Sequence, residues 1–150
     1  MSLARMIARM APLLAPLFAL GAIAQGIAGT WKEPTGSVIQ IDSCGHDLCA
    51  RLIAISKAAP TDVDINNPDP TKRTTPLCGL LIGRGFQPTD TDHAEGGFLY
   101  DPKSGKTYRG SMKADGDRLE LRGYVGVKLF GRTETWQRTT QPSPPCGTAR

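Results

Sequence analysis

Apolar and polar residues alternate in short runs through the second half of the chain, residues 96–138. Leu119 and Leu121, for example, have charged neighbours on both sides, which gives the two-residue period of a strand with one buried face. Asp101–Gly105 and Ala114–Asp117 lie between such runs and contain the Asp, Pro and Gly residues that are typical of tight turns. No run has the period of a long helix. The pattern predicts an antiparallel β-meander in this half of the protein.

Eight runs across the chain have strand chemistry, and short turns connect most of them. The predicted strands are Gly29–Lys32, Ser37–Ser43, Leu48–Ser56, Leu77–Ile82, Gly97–Tyr100, Lys106–Met112, Arg118–Tyr124 and Leu129–Arg138. Sequential short connections favour an up-and-down barrel, in which eight strands enclose space for side chains or for one small ligand. The sequence therefore predicts an all-β protein with an eight-stranded antiparallel barrel. A β-sandwich built from the same strands is the alternative.

The first residues have the pattern of an export signal instead of that of a folded domain. Arg5 and Arg9 precede an apolar run over Met10–Ala24, and Ala22-Ile23-Ala24 supplies the small residues that a signal peptidase needs before Gln25. The apolar run of about 15 residues is shorter than the roughly 20 that span a bilayer, although an uncleaved anchor is the alternative. We therefore predict a signal peptide, cleavage before Gln25, and no stable membrane insertion of the mature protein.

We predict that the chain has three parts. They are a signal peptide over 1–24, a barrel domain over 25–138 and a Pro-rich tail over 139–150. The signal predicts a protein that is exported from the cytoplasm. Removing the two arginines of the signal lowers the formal net charge from +4 by two, and the remaining Lys and Arg residues are scattered among Asp and Glu. Because there is no basic block, the charge pattern gives no support for nucleic-acid binding.

Four cysteines follow the signal, and an oxidising compartment favours disulfides between them. Three connectivities exist for four cysteines. We favour a bond between Cys44 and Cys49, because these residues flank a short turn between two predicted strands. Closing so short a loop contributes about 2 kcal/mol to the free energy of unfolding in the chain-entropy model, and a second pair of Cys78 with Cys146 would contribute about 4.

A metal site is the rival interpretation of the cysteines, with His46 and His93 as further ligands. The cysteine spacings lack the paired CxxC knuckles of structural zinc sites, so we expect neither a metal nor a cofactor.

The Pro-rich connection before the fourth predicted strand has one feature of a calcium loop. Asp62, Asp64 and Asn66 stand at alternate positions, as calcium ligands do. However, Asn67 replaces the glycine of the sharp turn and Arg73 replaces the bidentate glutamate, so the connection is better explained by Asx turns.

A second polar connection offers candidate groups for acid–base chemistry. Asp90, Asp92, His93 and Glu95 lie close together in sequence, and Asp101 follows them. Several carboxylates beside one histidine can place a general base near an activated water, which makes a hydrolase the enzymatic hypothesis. An ordinary polar loop has the same composition, and no nucleophile motif is present. We therefore expect a protein that is not an enzyme.

An ordered series of short motifs resembles the DUF2147 family of exported bacterial proteins over about residues 29–138. The motifs are Gly29-Thr30-Trp31, Cys44-Gly45 with Cys49, Asp64 with Asn67-Pro68, Pro76-Leu77 with Gly79, Gly97 with Tyr100-Asp101-Pro102, Gly105-Lys106-Thr107-Tyr108, Leu121-Arg122-Gly123-Tyr124 with Gly126, and Trp136 with Arg138. The resemblance implies a lipocalin-like (calycin-like) barrel in the periplasm of a Gram-negative bacterium. It implies no established activity or catalytic residues, and it leaves Cys78 and Cys146 unexplained.

The first of these motifs is also similar to the G-x-W that begins the first strand of lipocalins. This similarity implies that Trp31 plugs one end of the barrel and that Arg138, from the last strand, packs over its indole face. Gly29 would leave room for that approach, and the three residues are therefore predicted to be structural.

Small-molecule binding is the leading functional hypothesis, with a small hydrophobic or amphipathic molecule in the barrel. Six aromatic residues of the meander are predicted to line the lumen, since aromatic rings supply apolar faces and a few polar tips. They are Phe98, Tyr100, Tyr108, Tyr124, Phe130 and Trp136. Each can instead be an ordinary core residue, in which case the lumen is filled. A scaffold that binds an unknown protein partner through the loop 57–75 is the alternative.

Overall fold

The computed structural model describes residues 26–140 and 146, and its eight antiparallel strands close into one barrel in sequence order. The strands are β1 (Gly29–Lys32), β2 (Val38–Cys44), β3 (Asp47–Ala54), β4 (Leu81–Pro88), β5 (His93–Asp101), β6 (Lys106–Asp115), β7 (Arg118–Tyr124) and β8 (Arg132–Arg138). Short 3-10 helices occupy Pro70–Lys72 and Lys128–Phe130. The predicted signal peptide, 1–24, lies outside the described residues, as does most of the tail.

The barrel closes where the first strand meets the last. Trp31 and Lys32 of β1 pair with Arg138 and Gln137 of β8, and every other strand pairs with its neighbours in sequence. A single closed sheet has no second layer, so the predicted barrel is confirmed and the β-sandwich alternative is wrong.

The connections of an up-and-down barrel gather at its two ends. We call the end where β1 begins and β8 ends the tryptophan end, because Trp31 lies there. The other end, here called the loop end, carries the long connection over residues 55–80 between β3 and β4. It also carries the turn after β5 and the connection between β7 and β8.

Apolar side chains fill much of the barrel interior. The most deeply buried of them are Trp31, Ile39, Ile41, Phe86, Met112 and Leu119. Two glycines make room for the ring of Phe86: a Cβ at Gly97 would overlap it, and a Cβ at Gly110 would lie 3.0 Å from its Cζ. The interior therefore depends on missing side chains as well as on apolar ones.

Turns and bulges correct the bounds of three predicted strands. The fourth strand begins at Leu81 instead of Leu77, because the Leu80 amide bonds the Leu77 carbonyl in a turn (3.0 Å). It continues through Gly85, whose φ of 69° marks a bulge. The fifth strand begins at His93, four residues early, since Gly96 (φ 74°) lets the chain bulge without ending the ladder. The last strand begins after the 3-10 turn that was predicted to be part of it.

The disulfide between Cys44 and Cys49 is confirmed, and it joins the ends of the β2–β3 turn. Cys78 and Cys146 are not bonded to each other. Among the residues that the structure describes, no group of three or more His, Cys, Asp or Glu side chains could hold a metal ion. The same part of the chain contains no helix long and apolar enough to cross a membrane.

Candidate functional site

The tryptophan end of the barrel is closed by Trp31 and Arg138, as predicted. The indole of Trp31 is fully buried and donates from Nε1 to the Ile27 carbonyl (2.8 Å). The Arg138 Cζ lies 4.0 Å from the centre of its ring. Gly29 permits this approach, since a Cβ there would lie 2.7 Å from Arg138 Nη1. The arginine over the indole, and the glycine beside it, have the predicted geometry. That these three residues are structural stays a prediction.

Arg138 is also held from outside the barrel wall. Its Nη2 donates to the Gly26 carbonyl (2.7 Å), and its Nη1 donates to the Ala28 carbonyl (3.2 Å). It bonds the Gly116 carbonyl of the β6–β7 turn as well (3.3 Å). One guanidinium thus joins the segment before β1, the last strand and a turn at the tryptophan end.

Two of the six aromatic residues predicted for the lumen point into the barrel. Trp136 lies opposite Leu119 and is 4% exposed, and Tyr108 lies opposite Leu99 and packs against the core. Directly opposed residues of antiparallel strands share a face, so the buried partners place both rings inside.

The other four lie outside the lumen, which corrects their predicted placement. Phe98 alternates with the buried Leu99 and therefore faces outward, and Tyr100 shares its face. Tyr124 lies opposite Arg109, which is itself opposite Phe98. Phe130 is 80% exposed in the 3-10 turn. The strand period places Phe98 and Tyr100 on one face of β5, but whether that face is internal depends on the register between strands.

A polar group enters the barrel just above Trp136. Glu134 is two residues before Trp136 and lies opposite Leu121, so it faces inward, while solvent still reaches it from the loop end. Burial by the surrounding barrel raises the pKa of Glu134, and Glu33 adds to this through repulsion, against an opposing effect of the Trp136 indole. The site thus favours a neutral or positively charged partner for this carboxyl.

Trp136 itself has an unsatisfied donor. Among the described residues, its Nε1 is a buried side-chain nitrogen without a hydrogen-bond partner. Glu134 is close enough for the indole to influence its pKa, but the two do not make a hydrogen bond of ordinary geometry. Buried donors are nearly always paired, so an unpaired one marks a place for a ligand or a water.

The rim of the loop end is fixed by Glu33. Its carboxylate accepts from the Thr35 hydroxyl and amide and from the Ser37 amide (3.2 Å). Burial raises its pKa, but these hydrogen bonds outweigh that effect and the pKa is lowered overall, with help from Lys103. Lys103 lies 3.8 Å from the carboxylate, which ties the β5–β6 turn to the β1–β2 turn.

A cavity of about 240 Å³ lies on the outer face of the barrel, beneath the long β3–β4 connection. Its polar anchor is Asp64, which is fully buried and accepts from the Tyr100 hydroxyl (2.7 Å) and the Asn67 amide (2.6 Å). Burial, and then the bond to Asp64, raises the pKa of Tyr100, so this phenol stays a neutral donor. The cavity is lined by Asp64, Asn67, Leu80, Leu81, Ile82, Arg84, Phe98, Tyr100 and Thr107.

The structure brings two residues of the hydrolase hypothesis together, Asp90 and His93, as parts of one turn. His93 Nδ1 lies 3.0 Å from Asp90 Oδ1, but the same oxygen also accepts the amides of Asp92 and His93, which is a turn-forming arrangement. The hydrogen bond from the Asp92 amide, followed by the one from the His93 side chain, lowers the pKa of Asp90. Glu95 pairs with Lys128 (2.6 Å), and Asp101 lies at the opposite end of β5. Asp90 and His93 thus form a hydrogen-bonded turn, while Glu95 bonds Lys128 and Asp101 accepts hydrogen bonds within its own turn.

Sequence reasoning missed the charged residues of both sites. Glu33, Glu134, Arg84 and Arg109 were not singled out, since charged residues in alternating strands usually face solvent. A signal for Glu134 was available, because it shares the parity of Trp136 in one strand.

A closed eight-stranded antiparallel barrel, plugged by the tryptophan of its first strand, is a lipocalin-like fold. The solved structure of HP1028 from Helicobacter pylori, described as belonging to the lipocalin family, is similar to it with a TM-score of 0.69. The match covers 75% of this chain and 82% of HP1028 at 21% identity, which shows a shared fold. The chain belongs to the DUF2147 family, described as an uncharacterized protein conserved in bacteria, whose profile matches residues 29–138. No curated protein matches the sequence.

Proposed function

We propose that this protein is an exported binding protein, and not an enzyme, that holds a small, partly apolar molecule in the loop end of its barrel. The signal-like segment 1–24 supports export, and so does the disulfide between Cys44 and Cys49. In this proposal the mature protein is periplasmic, with the barrel over 25–138 and a Pro-rich tail over 139–150.

The unpaired Nε1 of Trp136 carries the proposal. A ligand with a hydrogen-bond acceptor would satisfy it, and Tyr108 beside the core offers an apolar face with a polar tip. Glu134, whose pKa burial raises, would accept a donor or an amine from the same ligand. The ligand expected is therefore small, with an apolar body and both a donor and an acceptor.

Tryptophan fluorescence tests the proposal directly, because the two tryptophans of the chain, Trp31 and Trp136, both lie inside the barrel. Titration with the apolar probe N-phenyl-1-naphthylamine should quench this fluorescence in the purified protein. Trp136→Phe keeps an aromatic ring but removes the donor, and it should weaken retention of the natural ligand, seen by native mass spectrometry of protein taken from its own periplasm. Phe130→Ser, on the exposed turn, is the matched control and should change neither result.

If the natural protein carries no small molecule and the probe leaves the tryptophan emission unchanged, the barrel is a filled one and the proposal fails. The fold itself would be unaffected by that result.

An interaction scaffold is the second candidate function. Its contact surface would be the apolar β7–β8 connection instead of the loop 57–75. The long loop is fastened to the barrel by Asp64, whereas four large apolar residues of the connection stand in solvent: Val125, Val127, Leu129 and Phe130. A photo-crosslinker at position 130 should capture a defined partner in cells, and one at position 57, which is also exposed, should not. Equal capture from both positions would count against the scaffold.

A further inference from the structure

A row of alternating cationic and aromatic side chains crosses the outer face of the barrel. Arg84 of β4 and Arg109 of β6 both lie directly opposite Phe98 of β5, and Tyr124 of β7 lies opposite Arg109. Directly opposed residues share a face, so the row is Arg84, Phe98, Arg109 and Tyr124, with the two guanidinium groups on either strand beside the phenyl ring.

The two arginines are held at the ring but have no anionic partner. The Cζ of Arg84 lies 5.4 Å from the centre of the Phe98 ring, and that of Arg109 lies 5.2 Å from it. Within the part of the chain that the structure describes, neither guanidinium makes a hydrogen bond or an ion pair. Two like charges gathered at one ring repel each other, and each retains five N–H donors that can bind an anion.

The cavity of about 240 Å³ opens beside this row, and Arg84 and Phe98 form part of its wall. Leu80, Leu81 and Ile82 give it an apolar lining. Its lining carboxylate, Asp64, is buried, accepts hydrogen bonds from Tyr100 and Asn67, and has no ion pair with Arg84. The cavity therefore has an apolar side, a cationic side and one buried, hydrogen-bonded carboxylate.

We propose that this face is a second binding site, for a small anionic amphiphile. Arg84 and Arg109 bind its carboxylate or phosphate, for which the planar guanidinium group is well suited. The apolar part of the ligand lies along Leu80, Leu81 and Ile82, because the negative charge of Asp64 keeps the anionic head at the arginine side. The cavity is smaller than the roughly 300 Å³ at which sites for drug-sized molecules begin, so the apolar part is short. This site is separate from the barrel interior and does not depend on the function proposed above.

Isothermal titration calorimetry with octanoate, below its micelle-forming concentration and at low salt, tests the site. Arg84→Gln and Arg109→Gln should each weaken octanoate binding by about tenfold or more, the order expected when a charge-assisted hydrogen bond is lost. The double variant should bind no octanoate. Arg118→Gln removes the same charge at the tryptophan end, where its partner is the exposed Glu120, and it should bind as the wild type does. All variants should keep the wild-type melting temperature within a few degrees, since the substituted side chains lie on the surface.

Three further ligands identify the chemistry and its source. Octanol should bind far more weakly than octanoate, because it lacks the anion. Inorganic phosphate should compete with octanoate if the head group alone is recognised. Vesicles of phosphatidylglycerol, compared with phosphatidylcholine, distinguish a lipid head group in a membrane from a free amphiphile, and vesicle binding that disappears in the double variant would support the same arginine site. Octanoate affinity that is unchanged in the double variant, or no binding of any of these anions, would overturn the proposal.

Discussion

At the scale of single residues, the barrel is defined by a few side chains whose environments differ from those of ordinary strand residues. Arg138 is a cation packed on Trp31 and bonded to three backbone carbonyls. Glu33 and Glu134 have pKa values that are displaced in opposite directions, the first lowered by hydrogen bonds and the second raised by burial. Each of these environments leads to a measurable effect.

Trp31→Ala should destabilise the protein strongly, by about 3 to 5 kcal/mol, because it empties the plug of the barrel. Arg138→Ala should cost about 2 kcal/mol or more, from the cation–π contact and from the carbonyls left without their charged donor. Urea denaturation of both single variants and the double variant measures these losses. The double variant should lose less than the sum of the two, since part of the Arg138 effect needs Trp31. Strictly additive losses would show that the two residues do not act together in closing the barrel.

Glu134→Gln should raise the melting temperature at neutral pH and have little effect near pH 4. The folded-state pKa of Glu134 is above its usual value. Protonated Glu134 therefore contributes stability that is fully present below the usual pKa and is lost as the pH rises through the folded-state pKa. At neutral pH the native protein carries an unfavourable charge that glutamine removes. Thermal melts across this pH range provide the check, and a variant that is less stable at neutral pH would contradict it.

Glu33→Gln should have the opposite dependence on pH. Because the folded-state pKa of Glu33 is lowered, its stabilising contribution is present above its usual pKa and is lost as the pH falls through the folded value. The variant should therefore be less stable than the wild type at neutral pH, and the difference should narrow on acidification. Parallel melting curves at pH 7 and pH 3 measure the two differences, and a constant difference would argue against this role of the carboxylate.

At the scale of elements, the long β3–β4 connection is the part that departs most from a simple meander. It is fastened to the barrel wall by Asp64 through Tyr100, and a β-bridge within it joins Val63 and Pro76. A connection held in this way forms one wall of the outer cavity instead of moving freely, and so its anchoring decides whether the cavity exists.

Tyr100→Phe should loosen this connection while leaving the barrel closed. The change removes the hydroxyl that donates to a fully buried carboxylate, and an unsatisfied buried acceptor costs about 1 to 3 kcal/mol. Limited proteolysis should cleave the connection faster in the variant, at sites within residues 55–80. Tyr124→Phe, on the same outer face, is the control and should be cleaved at the wild-type rate. Equal rates for all three proteins would rule out the anchoring role.

At the scale of the whole molecule, the barrel is closed by its terminal strands and is further tied by contacts of its tail. The amide of Cys146 donates to the Ile53 carbonyl (3.2 Å), and Gly79, next to Cys78, donates to the Leu52 carbonyl (2.8 Å). The two free cysteines therefore approach the same short segment of β3. We expect a disulfide between them in an oxidising compartment.

Peptide mapping without reduction should find Cys78 joined to Cys146 in protein isolated from an oxidising compartment, in addition to the bond between Cys44 and Cys49. The Cys78→Ser and Cys146→Ser variants should each lose up to about 4 kcal/mol, the value of a long closed loop in the chain-entropy model. Free thiols at both positions in the natural protein would refute the second bond.

Local patterns in the sequence were enough to predict the number and order of the strands, most turns and one disulfide, because these depend on residues that are close together in the chain. Leu119 and Leu121 show the strand period locally, and Cys44 and Cys49 need only a short turn between them. The motif Gly29-Thr30-Trp31 also carried enough information to place the tryptophan plug, through its similarity to known barrels.

Which face of each strand is internal, and which charged side chains lie next to one another, depend on the tertiary structure. The bulges at Gly85 and Gly96 shift the register of β4 and β5, and a shift of one residue moves a side chain to the other face of the sheet. For this reason Phe98 lies outside, between two arginines that are 14 and 11 residues away in the chain, while Trp136 remains inside with an unpaired donor. Such contacts depend on the pairing between strands, and no local pattern in the sequence predicts them.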